Sequence, residues 1–209
     1  MNSWGLLLSN KELAIGEVAG IEAGKIEVFI YPENFDQVRV GSILIINSSA
    51  TKPIGIVFKL AHTSRYGTFT PMKMTRSEIE SAYPDLKHYH LFVSTMIYTS
   101  HLDPHGEVRH SRSSAPRLHD LVYIVNSKEL LDDFFRPSGE WNFDFLRYFF
   151  AEGANVLDFR DFLFCHRDYF KKHEEEKESI LESLIRSLSR INTLDIGALL
   201  EEITDVLMW

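Results

Sequence analysis

Cysteine is nearly absent from the sequence. Cys165 is the only one in 209 residues, which rules out an internal disulfide and leaves nothing that points to secretion. No stretch approaches the roughly 20 apolar residues of a membrane helix, and no basic flank precedes the leucines near the start, as a signal peptide requires. Gln37 is the only glutamine, and scarcity of thermolabile amides is typical of thermophilic or archaeal proteins. We expect a cytoplasmic protein with no membrane partner.

A nucleotide-binding signature is also missing. A phosphate-binding loop needs glycines for backbone approach, a lysine for the phosphate charge, and a serine or threonine for the metal. The sequence contains no Gly-x-x-x-x-Gly-Lys-Ser/Thr, and the only glycines after residue 106 are Gly139, Gly153 and Gly197, none of which precedes a lysine. We therefore expect no ATP hydrolysis, no cofactor and no enzymatic activity.

The charge is unevenly distributed along the chain. Hydrophobic residues make up 44% and charged residues 25% of the sequence, which are ordinary globular values. Residues 1–126 hold 12 acidic and 12 basic side chains, whereas residues 127–209 hold 18 acidic and 10 basic ones, so the second part carries the whole net charge of −8. That part would repel a polyanion.

Residues 1–126 have the pattern of a β-barrel. Short runs rich in β-branched residues are bounded by Gly, Pro, Asn or Ser. The six runs are Leu13–Ala19, Ile26–Tyr31, Ser42–Asn47, Pro53–Leu60, Tyr89–Tyr98 and Leu121–Val125. Six short strands without long helices between them predict a small closed antiparallel barrel, which leaves no exposed edge. A helical insertion is expected near 75–84, where Thr75 and Glu78 have capping-box spacing, and a mobile polar loop at 99–120.

Residues 127–209 change to a helical period and are expected to form an acidic α-helical region, which makes the fold class α+β. Ser127 is placed to cap a helix that runs to Phe135. Helices are also predicted from Trp141 to Ala151, through the aromatic run Phe159–Phe170, and from Glu174 to Ile191, where the apolar residues follow one stripe. Asp195 is placed to cap the last helix.

Several segments of residues 1–131 occur in the same order as in a known module. The segments are Ile15-Gly-Glu-Val18, Pro32 to Gly41, Ile54-Gly-Ile-Val57, Ala115 to Val125 and Ser127 to Leu131. They resemble the HAS-barrel, the N-terminal barrel shared by HerA-type DNA translocases and rotary ATP synthases. In that family an IGxV strand, a VxxGxxL/V turn and a second IGxV strand recur in this order. The resemblance covers about 60% of the chain.

The resemblance implies an assembly role. In the translocase family this barrel forms a ring above a motor domain and contacts a nuclease partner, NurA. The motor's phosphate-binding loop is absent here, so the resemblance does not extend to ATP hydrolysis. It implies a non-enzymatic adaptor that makes protein–protein contacts, through self-association or with a nuclease or a separate ATPase, in the setting of DNA processing.

A histidine-rich stretch offers a candidate metal site. His101, Asp103 and His105 alternate along the chain, and such spacing could supply ligands for zinc or manganese. His88 and other histidines lie nearby. The alternative is a polar loop with surface histidines that lacks the rigid frame of a metal site. A metal-dependent hydrolase is therefore an alternative function.

Arg109, Arg112 and Arg117 form a basic segment beside the neutral barrel. A single-stranded nucleic acid could place phosphates on these arginines and stack bases on Tyr66 and Phe69. The alternative is a solvated loop, since so few arginines give little affinity and the acidic part opposes binding. A nucleic-acid-binding barrel is the second alternative function.

The second part holds more aromatic residues than a small helical region would bury. Trp141, Phe145, Phe149 and Phe162 are the candidates for a subunit or partner interface, where aromatics concentrate. The alternative is that they form the core and pack against the barrel. Cys165 is expected to be a buried structural residue, because the adjacent His166 would point away from the sulfur on a helix.

Overall fold

The computed structural model describes residues 3–49, 51–64, 75–82 and 90–191, together with Gly197 and Ile203. This part of the chain contains seven strands. They are β1 (Gly16–Glu22), β2 (Lys25–Ile30), β3 (Ile43–Ile46), β4 (Lys52–Ser64), β5 (His90–Leu102), β6 (Val108–Arg109) and β7 (Leu121–Val125). Six of them form a closed antiparallel β-barrel, which confirms the predicted fold class.

Closure follows from the strand order. The sheet runs β2-β1-β7-β3-β4-β5, and β2 pairs again with β5, so the first and last strands of the sheet meet. The short strand β6 pairs only with the end of β5, where His101 lies opposite Arg109. A closed sheet satisfies its edge N–H and C=O groups internally. The barrel is therefore a rigid frame on which side chains can be positioned.

Glycines stand where strands of the barrel approach each other most closely. A Cβ on Gly16 would collide with the backbone oxygen of Phe29, and one on Gly55 would collide with the Met96 side chain. Both glycines belong to the Ile-Gly-x-Val segments of the sequence. Larger residues there would push neighbouring strands apart, so these positions require glycine for barrel geometry.

The helices of residues 127–209 confirm most of those predicted there. They are α1 (Ser3–Ser9), α2 (Arg76–Ala82), α3 (Lys128–Phe135), α4 (Leu146–Ala151), α5 (Val156–Cys165), α6 (Arg167–Lys171) and α7 (Lys177–Leu188), with short 3₁₀ turns at Lys11–Leu13, Pro32–Gln37 and Glu174–Glu176. Ser127 caps α3 through the Leu130 N–H. Thr75 and Glu78 form the expected capping box, in which each side chain accepts the backbone N–H of the other residue.

Three expectations about elements need correction. The helix predicted from Trp141 begins only at Leu146, and the run Phe159–Phe170 is divided between α5 and α6. The segment expected to be a mobile loop at 99–120 begins inside β5 and includes β6, and Thr99 and Ser100 are fully buried. The helix α1 was not predicted. Of the helix expected after Asp195, only Gly197 and Ile203 are described; both are helical, and Ile203 is fully buried, as expected. Tyr66, Phe69 and His88 lie outside the described residues.

Two hydrophobic clusters meet across one wall of the barrel. On β3, Leu44 and Ile46 face the barrel interior, while Ile43 and Ile45 face the helices. This alternation follows from the two-residue period of a strand. The helical region packs on the outside of β3, β4 and β7 and shares a core with them. Among the described residues, no helix is both long and apolar enough to cross a bilayer.

Candidate functional site

The candidate metal ligands do not converge. His101 on β5 is 9% exposed and its Nδ1–H donates to the Ser111 carbonyl at 2.7 Å. The Asp103 carboxylate accepts the backbone N–H groups of His105 and Glu107 at 2.9 and 3.0 Å, and the bond from Glu107 does most to lower the pKa of Asp103. His105 is exposed. Within the described ranges, no three His, Cys, Asp or Glu side chains are grouped to share a metal.

Asp103 instead stabilises the turn between β5 and β6. Its carboxylate also lies 3.4 Å from Nε of Arg109, and the guanidinium of Arg109 contacts Glu107 as well. Arg109 and Glu107 are exposed, so these pairs add little to stability. They argue against nucleic-acid binding, because the two carboxylates beside Arg109 largely cancel its positive charge.

Arg112 connects the barrel to the helical region. Its Nε donates to the Tyr98 carbonyl at 2.7 Å, and its terminal nitrogen lies 2.6 Å from the Glu152 carboxylate. The guanidinium also lies 4.9 Å from the Tyr148 ring centroid. Arg117 is exposed and does not join this network. The structure therefore separates the three arginines: Arg109 is paired with carboxylates on β6, Arg112 joins the barrel to the helical region, and Arg117 faces solvent.

The four aromatic candidates for an interface are interior residues. Trp141 is 7% exposed, Phe149 is 1% exposed, and Phe145 and Phe162 are fully buried. They form a cluster with the barrel wall and the other helices. A side chain that is already buried in its own chain cannot contribute area to a partner, so the interface prediction does not apply to these residues.

An exposed apolar surface occurs instead on α5. Asn155 begins this helix with a capping box to Asp158, which fixes its start. On the outward side, Leu157 is 59% and Phe164 is 63% exposed. They are seven residues apart, so they lie on one face about 10 Å apart along the helix axis. Phe164 belongs to the aromatic run that was considered for an interface, whereas Leu157 was not predicted, and only the spacing of seven residues could have linked the two. We call this pair the α5 outer face.

The opposite side of α5 is fixed tightly to the barrel. Gly41 has a φ of +90°, and a Cβ there would come within 2.7 Å of the Phe162 Cα and 2.9 Å of the Cys165 Cβ. The buried His166 donates its Nε2–H to the Gly41 carbonyl at 3.0 Å. Burial lowers the pKa of His166 to about 4, so the ring is neutral near neutral pH. The helix therefore presents its outer face from a rigid support.

Cys165 has the environment of a structural thiol. Burial raises its pKa, which keeps the sulfur protonated and weakly nucleophilic. His166 uses one ring nitrogen for the Gly41 carbonyl. Neither residue is arranged for nucleophilic catalysis.

No protein-family model matches the chain, and no curated protein matches it.

Proposed function

We propose that this protein is a non-enzymatic assembly module that self-associates through the α5 outer face. The supporting observation is the pair of large apolar side chains, Leu157 and Phe164, held more than half exposed on one side of a capped helix. Isolated exposed hydrophobics are ordinary on protein surfaces. Two on one helix face, rimmed by charged residues, have the composition of an interface centre.

The spacing on α5 favours a second copy of the chain as the partner. In a two-fold antiparallel pairing of α5 helices, the axis passes midway between Leu157 and Phe164. Leu157 of one copy then meets Phe164 of the other, so the apolar ends match. The midpoint falls between Arg160 and Asp161, whose opposite charges are thereby placed beside each other across the axis. A surface that complements itself in this way meets the requirement of an isologous dimer.

The expected strength of this association is modest. Stable interfaces bury about 800 Å² per partner, and two side chains supply only part of that area. Tryptophan is among the anchors that dominate tight interfaces, but the described tryptophans, Trp4 and Trp141, are both buried and do not lie on this face. We therefore expect a dimer that dissociates on dilution in the micromolar range.

Light scattering of the purified chain across a dilution series tests this proposal. The mass should exceed 24.2 kDa at high concentration and approach that value on dilution. The variants L157E and F164E should remain at the monomer mass, because each places a charge in the apolar contact. Leu118→Glu is the matched control, since Leu118 is 57% exposed but lies outside α5.

Three results would count against this function. A wild-type chain that stays monomeric at the highest concentration would contradict self-association. A decrease in mass of the Leu118→Glu variant as large as that of L157E or F164E would contradict the assignment of the contact to α5. ATP turnover by the pure chain would remove the non-enzymatic assignment.

From the resemblance to the HAS-barrel, we further propose that the module assembles in DNA processing beside a HerA-type ATPase or a NurA-type nuclease. The positions of Gly16, Gly41 and Gly55 support this, because each recurring glycine of the resemblance stands at a close backbone or side-chain approach. Mixing the purified chain with either protein should give co-elution on size exclusion. Separate elution from both would contradict the DNA-processing setting and leave the self-association test untouched.

A further inference from the structure

A cavity of about 330 Å³ lies where the barrel wall meets the helical region. It is lined by the ends of β3 and β7, by α3, and by the junction of α5 and α6. This volume is at the lower end of the roughly 300–1,000 Å³ of small-molecule sites. The cavity does not include Leu157 or Phe164. Ligand binding in this cavity would therefore not involve the α5 outer face.

Three cations surround this cavity. Arg39 comes from the turn before β3, Lys128 from the first turn of α3, and Lys172 from the residue after α6. None of the three forms an ion pair with another described residue. Among the described residues of the lining, Asp168 is the only carboxylate, which leaves a net charge of about +2.

This positive charge lies beside the acidic part of the chain. The region 127–209 carries 18 acidic and 10 basic residues, yet two of these basic residues converge with Arg39 on one cavity. Cations of one sign beside low-dielectric walls focus the field and attract an anion. The fold therefore brings positive charge together at this cavity, although the surrounding region is acidic overall.

The floor of the cavity combines polar and apolar groups. Ser42 and His166 are 5% and 7% exposed and contribute polar atoms, whereas the half-buried Ile124 and the 7% exposed Leu131 contribute apolar surface. The Nε2–H of His166 is used by the Gly41 carbonyl, so its Nδ1 carries the lone pair of a neutral ring. The floor can therefore contact an apolar or ring-shaped body with a few polar groups.

We propose that this cavity binds a small phosphate monoester, with the phosphate between Arg39, Lys128 and Lys172 and its organic body against Ile124 and Leu131. A phosphate monoester carries about −1.5 to −2 charges near neutral pH, which matches the net charge of the lining. A monocarboxylate would neutralise only half of it. Arginine also binds phosphate oxygens in a bidentate geometry.

Calorimetric titration of the full chain with AMP, inorganic phosphate and adenosine tests this site. AMP should bind with one-to-one stoichiometry and weaken as salt is added. Adenosine should not bind, because it lacks the charge. Inorganic phosphate should bind more weakly than AMP, because it lacks the organic body.

Substitutions locate the binding in the cavity. Arg39→Ala and Lys172→Ala should each reduce the AMP affinity by about tenfold or more, since each removes a charge-assisted hydrogen bond. Both side chains are exposed, so the variants should keep the fold, which circular dichroism can verify. Lys171→Ala is the matched control, because Lys171 is an exposed neighbour of the same charge outside the cavity.

Three results would overturn the proposal. The first is no binding of AMP at low salt. The second is equal affinity for AMP and inorganic phosphate, which would remove the organic subsite. The third is a loss of affinity in Lys171→Ala as large as in Lys172→Ala, which would indicate general attraction to surface charge.

Discussion

Replacing Gly41 with alanine should detach α5 from the barrel or destabilise the whole chain. At a φ of +90° an L-residue is strained by about 1–2 kcal/mol. The added Cβ would also lie 2.7 Å from the Phe162 Cα, 2.9 Å from the Cys165 Cβ and 3.0 Å from the Asp161 carbonyl oxygen. Two of these atoms belong to the helix backbone, so the helix must move. Such overpacking costs about 1–3 kcal/mol, which gives a total of about 2–5 kcal/mol.

Gly139→Ala provides the matched control for this substitution. Gly139 has a φ of +82°, and a Cβ there would meet no atom within 4 Å. It therefore carries the backbone strain of about 1–2 kcal/mol without the collision. The difference between the two variants isolates the contact of α5 with the barrel.

Urea unfolding, followed by circular dichroism, measures both variants. With a slope of about 2 kcal/mol per molar urea, Gly41→Ala should lower the midpoint by roughly 1–2.5 M and Gly139→Ala by at most about 1 M. Equal midpoints for the two variants would refute the assignment of Gly41 as the point of closest approach.

The remaining predictions concern the network around this contact. Arg112→Ala should lower the free energy of unfolding by about 1–3 kcal/mol, because the partly buried Glu152 loses its partner; Arg117→Ala, at an exposed position, should change urea stability by no more than about 0.5 kcal/mol. Trp4→Ala should cost about 3–5 kcal/mol in the same assay, since Trp4 is 1% exposed and fixes α1. The depressed pKa of His166, about 4, means that the unfolded chain binds a proton first as the pH falls. Stability should therefore decline between about pH 6.5 and pH 4, by an amount on the order of 3 kcal/mol from this ring. His166→Gln should reduce that decline when unfolding is compared at about pH 7 and about pH 5, with the remainder due to His110, whose pKa burial also lowers to about 4. An unchanged slope would exclude the buried neutral ring of His166 as a cause.

The elements with local signals were predictable from the sequence. Ser127 and the Thr75–Glu78 pair carry capping chemistry within four residues, so their helices begin where expected. The strand Ile43–Ile46 is apolar at every position because both of its faces are buried, one in the barrel and one against the helices. Both patterns can be recognised from a few neighbouring residues of the sequence.

The polar stretch after Thr99 was misinterpreted because its partners are distant in sequence. Thr99 and Ser100 are fully buried in β5, and the Ser100 hydroxyl lies 2.9 Å from Nδ1 of His110. Polar residues are mostly exposed in proteins unless they are paired. Composition indicates a solvated loop, and only the pairing of β5 with β4 and β6 makes these residues interior.

The candidate interface was missed for a related reason. The helix α5 is apolar on two sides, so periodicity alone does not distinguish the side that packs from the side that is exposed. Phe162 fits against Gly41, a residue 121 positions earlier, and that contact decides the orientation of the helix. Once Phe162 is inside, the helical repeat places Phe164 outside. The close contact with Gly41, in the turn before β3, therefore contributes to the location of the α5 outer face, and a change at Gly41 that moves α5 should alter self-association as well as stability.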